Sequence, residues 1–95
     1  MANYKLSKAA KEDLIRIHHF GVEHFGMAQA DKYFDSFFDY FEIIAQQPFA
    51  FESVDYIKKG YRRCACGVDS IFYRINNDTV EIMAIIGRQD LNNIL

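Results

Sequence analysis

Residues 68–86, VDSIFYRINNDTVEIMAII, decide the fold. Two apolar runs, 68–75 and 79–86, flank the Asn76-Asn77-Asp78 turn, whose residue types tolerate the positive φ of a tight hairpin. Successive side chains of a strand point to opposite faces. Ile71, Tyr73 and Ile75 are therefore expected to oppose Ser70, Phe72 and Arg74 on the first strand. On the second, Val80, Ile82, Ala84 and Ile86 should oppose Glu81, Met83 and Ile85. Both strands are fairly apolar on both faces, so one face is expected to meet helices and the other a partner or a tail. Just upstream, residues 61–66, YRRCAC, are turned by Gly67 and supply a third strand.

Towards the N-terminus, across a loop at 49–60, the apolar period changes from strand to helix. A second helix is expected from about residue 27 to 47, with Ala30, Phe34, Phe37, Phe41 and Ile44 at 4-3-4-3 spacing and Pro48 ending it. Its phenylalanines are read as core that packs on the sheet rather than as a ligand cradle. A first helix starts at Ser7, whose hydroxyl suits an N-cap, with Glu12 and Asp13 early where the helix dipole favours acids. Its stripe is Ala10, Leu14, Ile17, Gly21 and Phe25, and Gly26 is its stop. Residues 2–6 alternate as a short opening strand. The order is β-α-α-β-β-β: an α+β fold with an antiparallel helical hairpin packed on a small antiparallel sheet.

Ninety-five residues, 51% of them hydrophobic, suit one domain, 1–95. No apolar run approaches the roughly 20 residues that span a bilayer, and the charged start MANYKLSKAAKEDL is unlike a signal peptide, so a cytoplasmic protein without a membrane partner is expected. The net charge of −2 argues against a dedicated nucleic-acid binder. That charge is segregated. Residues 1–57 carry five basic side chains against nine acids, giving −4; residues 58–95 carry six against four, giving +2. Cys64 and Cys66 share a strand face about 7 Å apart, at or beyond disulfide reach, and nothing pairs them with further zinc ligands, so they read as semi-buried thiols and no metal or cofactor is expected. A catalytic set for phosphodiester cleavage can be assembled from Arg62, Arg63, Arg74 and Arg88 with Tyr73, His18 or His19 as proton carriers. Each member has a simpler structural explanation, and the histidines sit on the first helix, so no catalytic residue is assigned.

The segments Gly60-Tyr61-Arg62, Ile71-Phe72-Tyr73-Arg74, Val80-Glu81-Ile82 and Arg88-Gln89-Asp90, in that order and spacing, resemble ParE-type toxins of bacterial type II toxin–antitoxin modules. In the N-terminal half, Ser7 to Leu14 (SKAAKEDL) and Gly26 to Asp31 (GMAQAD) match in kind, so the resemblance covers nearly the whole chain. It implies the fold shared with RelE-type toxins, which cleave messenger RNA on the ribosome with a Lys/Arg cluster and a C-terminal Tyr or His. This chain is mildly acidic and its tail, GRQDLNNIL, has no Tyr or His after Arg88. That favours the ParE branch: a non-enzymatic inhibitor that binds DNA gyrase, neutralised by a ParD-like antitoxin that wraps it and brings its own DNA-binding domain, so DNA is met only indirectly. A RelE-like ribonuclease and a non-toxic antitoxin-binding relic are the alternatives. The expected interaction surface is Lys58, Arg62, Arg63, Phe72, Arg74, Met83 and Ile85, continued by Arg88, Asp90 and Leu91; Leu91, Ile94 and Leu95 have helix spacing.

Overall fold

Ser7 begins the first helix by two bonds at once. Its Oγ accepts from the Ala10 N–H at 3.0 Å, the N-cap geometry, and donates to the Met83 carbonyl at 2.9 Å. The computed structural model, which describes residues 3–87, runs β1 (Tyr4–Leu6), α1 (Lys8–Phe25), α2 (Met27–Gln46), β2 (Glu52–Ser53), β3 (Arg62–Cys66), β4 (Asp69–Asn76) and β5 (Thr79–Gly87). Gly26, at φ +87°, both ends α1 and begins α2, a backbone conformation that side chains other than glycine's seldom adopt. The helices cross closely there: a Cβ built on Gly21 would lie 3.1 Å from the Ala30 Cβ.

The sheet order is β1-β5-β4-β3-β2. The β-α-α-β-β-β order holds, with two refinements. Glu52–Ser53 adds a short edge strand within the expected loop, and β1 pairs parallel with β5 (Tyr4↔Val80, Leu6↔Ile82), making the sheet mixed. Beyond Leu6 the chain turns into α1, whose side chains continue the edge of β5. Ser7 N–H donates to the Ile82 carbonyl (2.9 Å), the Ile85 N–H donates to Asp13 Oδ2 (2.9 Å), and Arg16 donates to the Ile85 carbonyl (3.2 Å). Backbone groups that would otherwise be stranded at a buried edge are thereby satisfied.

The main core lies between the helices and the sheet. Ala10, Leu14, Ile17, Phe37, Phe41 and Ile44 meet Ile71, Tyr73, Val80, Ile82 and the two cysteines. The second helix's aromatic stripe is thus core, as its period required, and the Tyr73 hydroxyl donates to the Pro48 carbonyl at 2.6 Å, tying β4 to the end of α2. Phe25, read as the end of the α1 stripe, is instead 68% exposed, because the helix has run past the sheet by its last turn.

The alternation of the last strand is interrupted. Phe72 pairs with Ala84 and Tyr73 with Ile82, so Met83 is an extra residue. One inserted residue exchanges the faces beyond it. Val80, Ile82 and Ile85 therefore face the helices, while Ala84 and Ile86 turn outward with Met83. On the outer face Val54, Tyr61, Phe72 and Ala84 form a second cluster, against which Ile57, Met83 and Ile86 pack. The segment after α2 folds over the sheet to make it, closed by Val54 N–H to the Tyr61 carbonyl (2.8 Å) and Gly60 N–H to Asp55 Oδ1 (2.7 Å). Much of the face reserved for a partner is covered by the chain itself.

Candidate partner-binding surfaces

The outer face of the sheet carries most of the expected surface, with three changes. Phe72 is 0% exposed beneath Val54 and Tyr61, so it supports the surface without presenting itself. Ile85 is also 0% exposed, but in the main core: the Met83 bulge moves it there. Arg62 and Arg63, grouped because they are neighbours in sequence, point to opposite faces, as consecutive strand residues must. Arg63 lies opposite Phe72 on the outer face, donating to Ser70 Oγ (2.9 Å) and to Glu52 (3.2 Å). Arg62 lies opposite Tyr73 on the helix side, donating to the Phe51 carbonyl (2.7 Å) with its guanidinium 5.1 Å from the Phe49 ring centre. Arg88, Asp90 and Leu91 lie outside the described residues.

What remains on the outer face is an apolar centre with a cationic rim. Met83 and Ile86 are half-buried at the centre. Around them stand Arg63, Lys58 (Nζ 5.4 Å from the Tyr61 ring centre) and Arg74. Arg74 faces Glu81 across the hairpin and donates to it at 2.6 Å; Lys5 holds the second carboxylate oxygen at 3.3 Å. The hydrogen bond from Arg74 keeps the Glu81 carboxyl below its usual range against the opposing effect of burial, and Glu81 in turn raises Arg74. Two cations on one carboxylate leave that corner net positive.

The histidines are elsewhere. His18 Nε2 meets Asp31 Oδ1 at 2.7 Å between the two helices, and the His24 ring stacks on Phe20 at 3.9 Å, both on the helical layer and across the sheet from Arg63 and Arg74. Cys64 and Cys66 are free and buried in the core; burial, then the neighbouring thiol, pushes Cys64 up to about 11, leaving it protonated and unreactive at neutral pH. Among the described residues no group of three or more His, Cys, Asp or Glu is placed to hold a metal ion.

A second surface has no counterpart in the sequence reading. A groove of about 560 Å³ runs between α1, the start of α2 and the turn joining β3 to β4. Phe20, Phe25 and Val68 stand exposed along it, and Gly21 and Ala30 form part of its floor. At one end the Tyr33 hydroxyl lies 2.8 Å from both the Cys66 carbonyl and Asp69 Oδ2. Burial and the Asp69 carboxylate raise Tyr33 well above the usual phenol range, so it remains a donor. Gly67 makes the turn possible: its φ is +61°, and a Cβ there would meet the Tyr33 ring at 2.8 Å. The groove is built from three distant segments, so no local period announces it. The available signal is that Phe20 and Val68 are apolar at positions no core stripe uses.

Comparison with known proteins agrees with this architecture. Residues 4–91 match the family model described as the ParE toxin of the type II toxin–antitoxin system parDE. Toxin ParE1 of Caulobacter vibrioides is 35% identical over 92 residues, covering 97% of this chain and 94% of that protein. Toxin ParE1 of Mycobacterium tuberculosis is 27% identical over 86 residues, covering 90% and 88%. In fold, the chain superposes on a chain of the chromosomal ParDE toxin–antitoxin system from P. aeruginosa with a TM-score of 0.81 at 19% identity, over 92% of this chain and 96% of that one. It also resembles a conserved hypothetical protein of Helicobacter pylori, with a TM-score of 0.54 at 14% identity over 94% and 97% of the two chains. The chain belongs to the ParE toxin family of type II toxin–antitoxin systems.

Proposed function

We propose that this toxin acts in the cytoplasm by binding and inhibiting DNA gyrase, without catalysis of its own, and that a ParD-like antitoxin holds it inactive by folding onto it. The observation that carries the antitoxin half is the outer face: half-buried Met83 and Ile86 inside a rim of Lys58, Arg63 and Arg74. A disordered acidic segment gains most by folding where apolar contact and opposite charge coincide. Arg62, whose side chain lies on the helix side of the same sheet beside Phe49 and Phe51, and Arg88, Asp90 and Leu91, which follow β5 in the chain, extend the proposed interaction surface beyond that face. DNA meets the toxin only through the antitoxin. The gyrase half is supported by family membership.

The test is direct. Purified toxin at micromolar concentration should block gyrase supercoiling and trap cleaved gyrase–DNA complexes, and added antitoxin should reverse both effects. Unchanged gyrase activity would overturn the target. Codon-dependent cleavage of mRNA in a translation extract, read by primer extension, would replace binding with ribonuclease action. Reversing Arg63 and Arg74 to Glu should slow antitoxin association and remove most of its salt dependence, as rim charges govern encounter more than dissociation. Unaltered association would exclude this face.

A further inference from the structure

We propose that the Arg62 guanidinium, stacked on the exposed Phe49 ring, is a contact point for the target enzyme and receives a carboxylate of gyrase there. This rests on the reading that the chain inhibits gyrase by binding it, and it assigns that contact to the opposite side of the sheet from the cationic face.

Arg62 is the exception among the described arginines. Arg16 pairs with Asp13, Arg63 with Glu52 and Arg74 with Glu81, whereas no carboxylate among the described residues meets Arg62. Its Nη1 donates to the Phe51 carbonyl at 2.7 Å, and Nε and Nη2 donate to no described group. Among the described residues no buried side-chain nitrogen lacks a partner, so both of these N–H groups reach solvent. Tyr73, its register partner, supplies no anion: burial pushes the phenol up to about 12, and the hydroxyl is spent on the Pro48 carbonyl. The side chain therefore presents a planar two-donor edge and an unneutralised charge, which a carboxylate fits with two parallel bonds.

The surroundings are those of a protein contact. Phe49 is 71% exposed with its ring centre 5.1 Å from the guanidinium, and Tyr56, farther along the same loop, is 77% exposed. Arginine beside exposed aromatic side chains is the composition of an interface hot spot. Grip on a nucleic-acid backbone comes instead from several cations acting together, and the neighbouring Arg63 and Arg74 point to the outer face. The segment is also fixed before any partner arrives. Ala50 N–H donates to the Gln47 carbonyl at 3.0 Å, the Tyr73 hydroxyl holds the Pro48 carbonyl, and Phe51 packs on the main core. Binding then requires little further ordering of the loop.

The experiment uses the full chain and measures its binding to purified gyrase by surface plasmon resonance, with and without DNA, beside supercoiling inhibition. Arg62→Gln should weaken gyrase binding about tenfold or more, as loss of a hydrogen-bonded charge does, and raise the half-inhibiting toxin concentration by the same factor. Arg62→Lys keeps the charge without the fork and should recover only part of the loss. Phe49→Ala, at an exposed position, should weaken binding in the same sense with the thermal unfolding temperature unchanged, which keeps the test decisive if Arg62→Gln destabilises the chain. Wild-type toxin that binds gyrase no better than Arg62→Gln and Phe49→Ala overturns the proposal and leaves gyrase as the target. Wild-type toxin with no hold on gyrase overturns the underlying reading together with it. A loss confined to gyrase carrying DNA would assign Arg62 to a phosphate and overturn the carboxylate. Weakened antitoxin binding with gyrase binding intact would give the pair to the antitoxin and equally overturn the proposal.

Discussion

Replacing Gly67 with Ala tests whether the β3–β4 turn and Tyr33 form one mechanical unit. Two costs combine. At φ +61° an L-residue loses about 1 kcal/mol relative to glycine. The added Cβ would also lie 2.8 Å from both Cε1 and the hydroxyl oxygen of Tyr33, inside any real contact distance. The ring has little room to yield, since Phe37 stands edge-on to it at 5.0 Å and its hydroxyl is anchored on Cys66 and Asp69. Displacing it sacrifices a hydrogen bond to a carboxylate, about 1.5–3 kcal/mol. The sum, about 3 kcal/mol, corresponds to a fall in Tm of roughly 12–24 °C for a domain of this size. Urea and thermal denaturation followed by circular dichroism give both numbers. A double-mutant cycle isolates the clash: in a Tyr33→Ala background the same glycine substitution should cost only the backbone share, about 1 kcal/mol, leaving a coupling of about 2 kcal/mol. Equal costs in the two backgrounds would show that the ring is not what the Cβ meets, and a Tm within a few degrees of wild type would refute the turn geometry itself.

Ser7→Ala removes both the N-cap of α1 and the donor to the Met83 carbonyl at the bulge, and should destabilise by about 1–2 kcal/mol in equilibrium unfolding, against a few tenths for an exposed serine such as Ser53. Glu81 sets a pH dependence. Its carboxyl is held below the ordinary 4.5, so its pairing with Arg74 and Lys5 contributes fully above about pH 4.5 and is lost as pH falls below that towards the depressed folded value. Glu81→Gln should therefore flatten the acid limb of the stability curve, with the difference from wild type shrinking at high salt; an identical acid limb would mean the pair is inert. Ile85→Asp should unfold the protein, since it places a charge in the main core, whereas Met83→Asp, one face over, should fold with a near-normal Tm and lose antitoxin affinity.

Those last two substitutions mark where the sequence was legible. The helical hairpin could be read because Phe37, Phe41 and Ile44 keep a period no strand can use, and because Ser7, Gly26 and Pro48 punctuate it. The final strand could not be read to the residue. Every position from Ile82 to Ile86 is apolar, so alternation alone does not reveal that Met83 is inserted. The bulge is set by contacts from far along the chain, Ser7 on the Met83 carbonyl and Asp13 on the Ile85 N–H. The parallel pairing of β1 with β5 is hidden for the same reason. Arg62 and Arg63 are a different case. Their separation follows from the strand period alone; grouping them by adjacency treated a sheet as if it had one face.

The segregation of charge along the chain gains its meaning from that two-faced sheet. The basic half places Arg63, Arg74 and Lys58 on the outer face, while the acidic half builds the helical layer, where Asp31 and Asp35 are exposed. Under the proposed antitoxin reading, the segment that crosses the outer face is acidic, because there a cationic rim surrounds half-buried apolar side chains. A ParD-like antitoxin should accordingly carry a net acidic stretch where it crosses the sheet. Reversing the acidic residues of that stretch to Lys should abolish neutralisation of the toxin in a growth assay, whereas full protection by the reversed antitoxin would reduce the cationic rim to non-specific attraction.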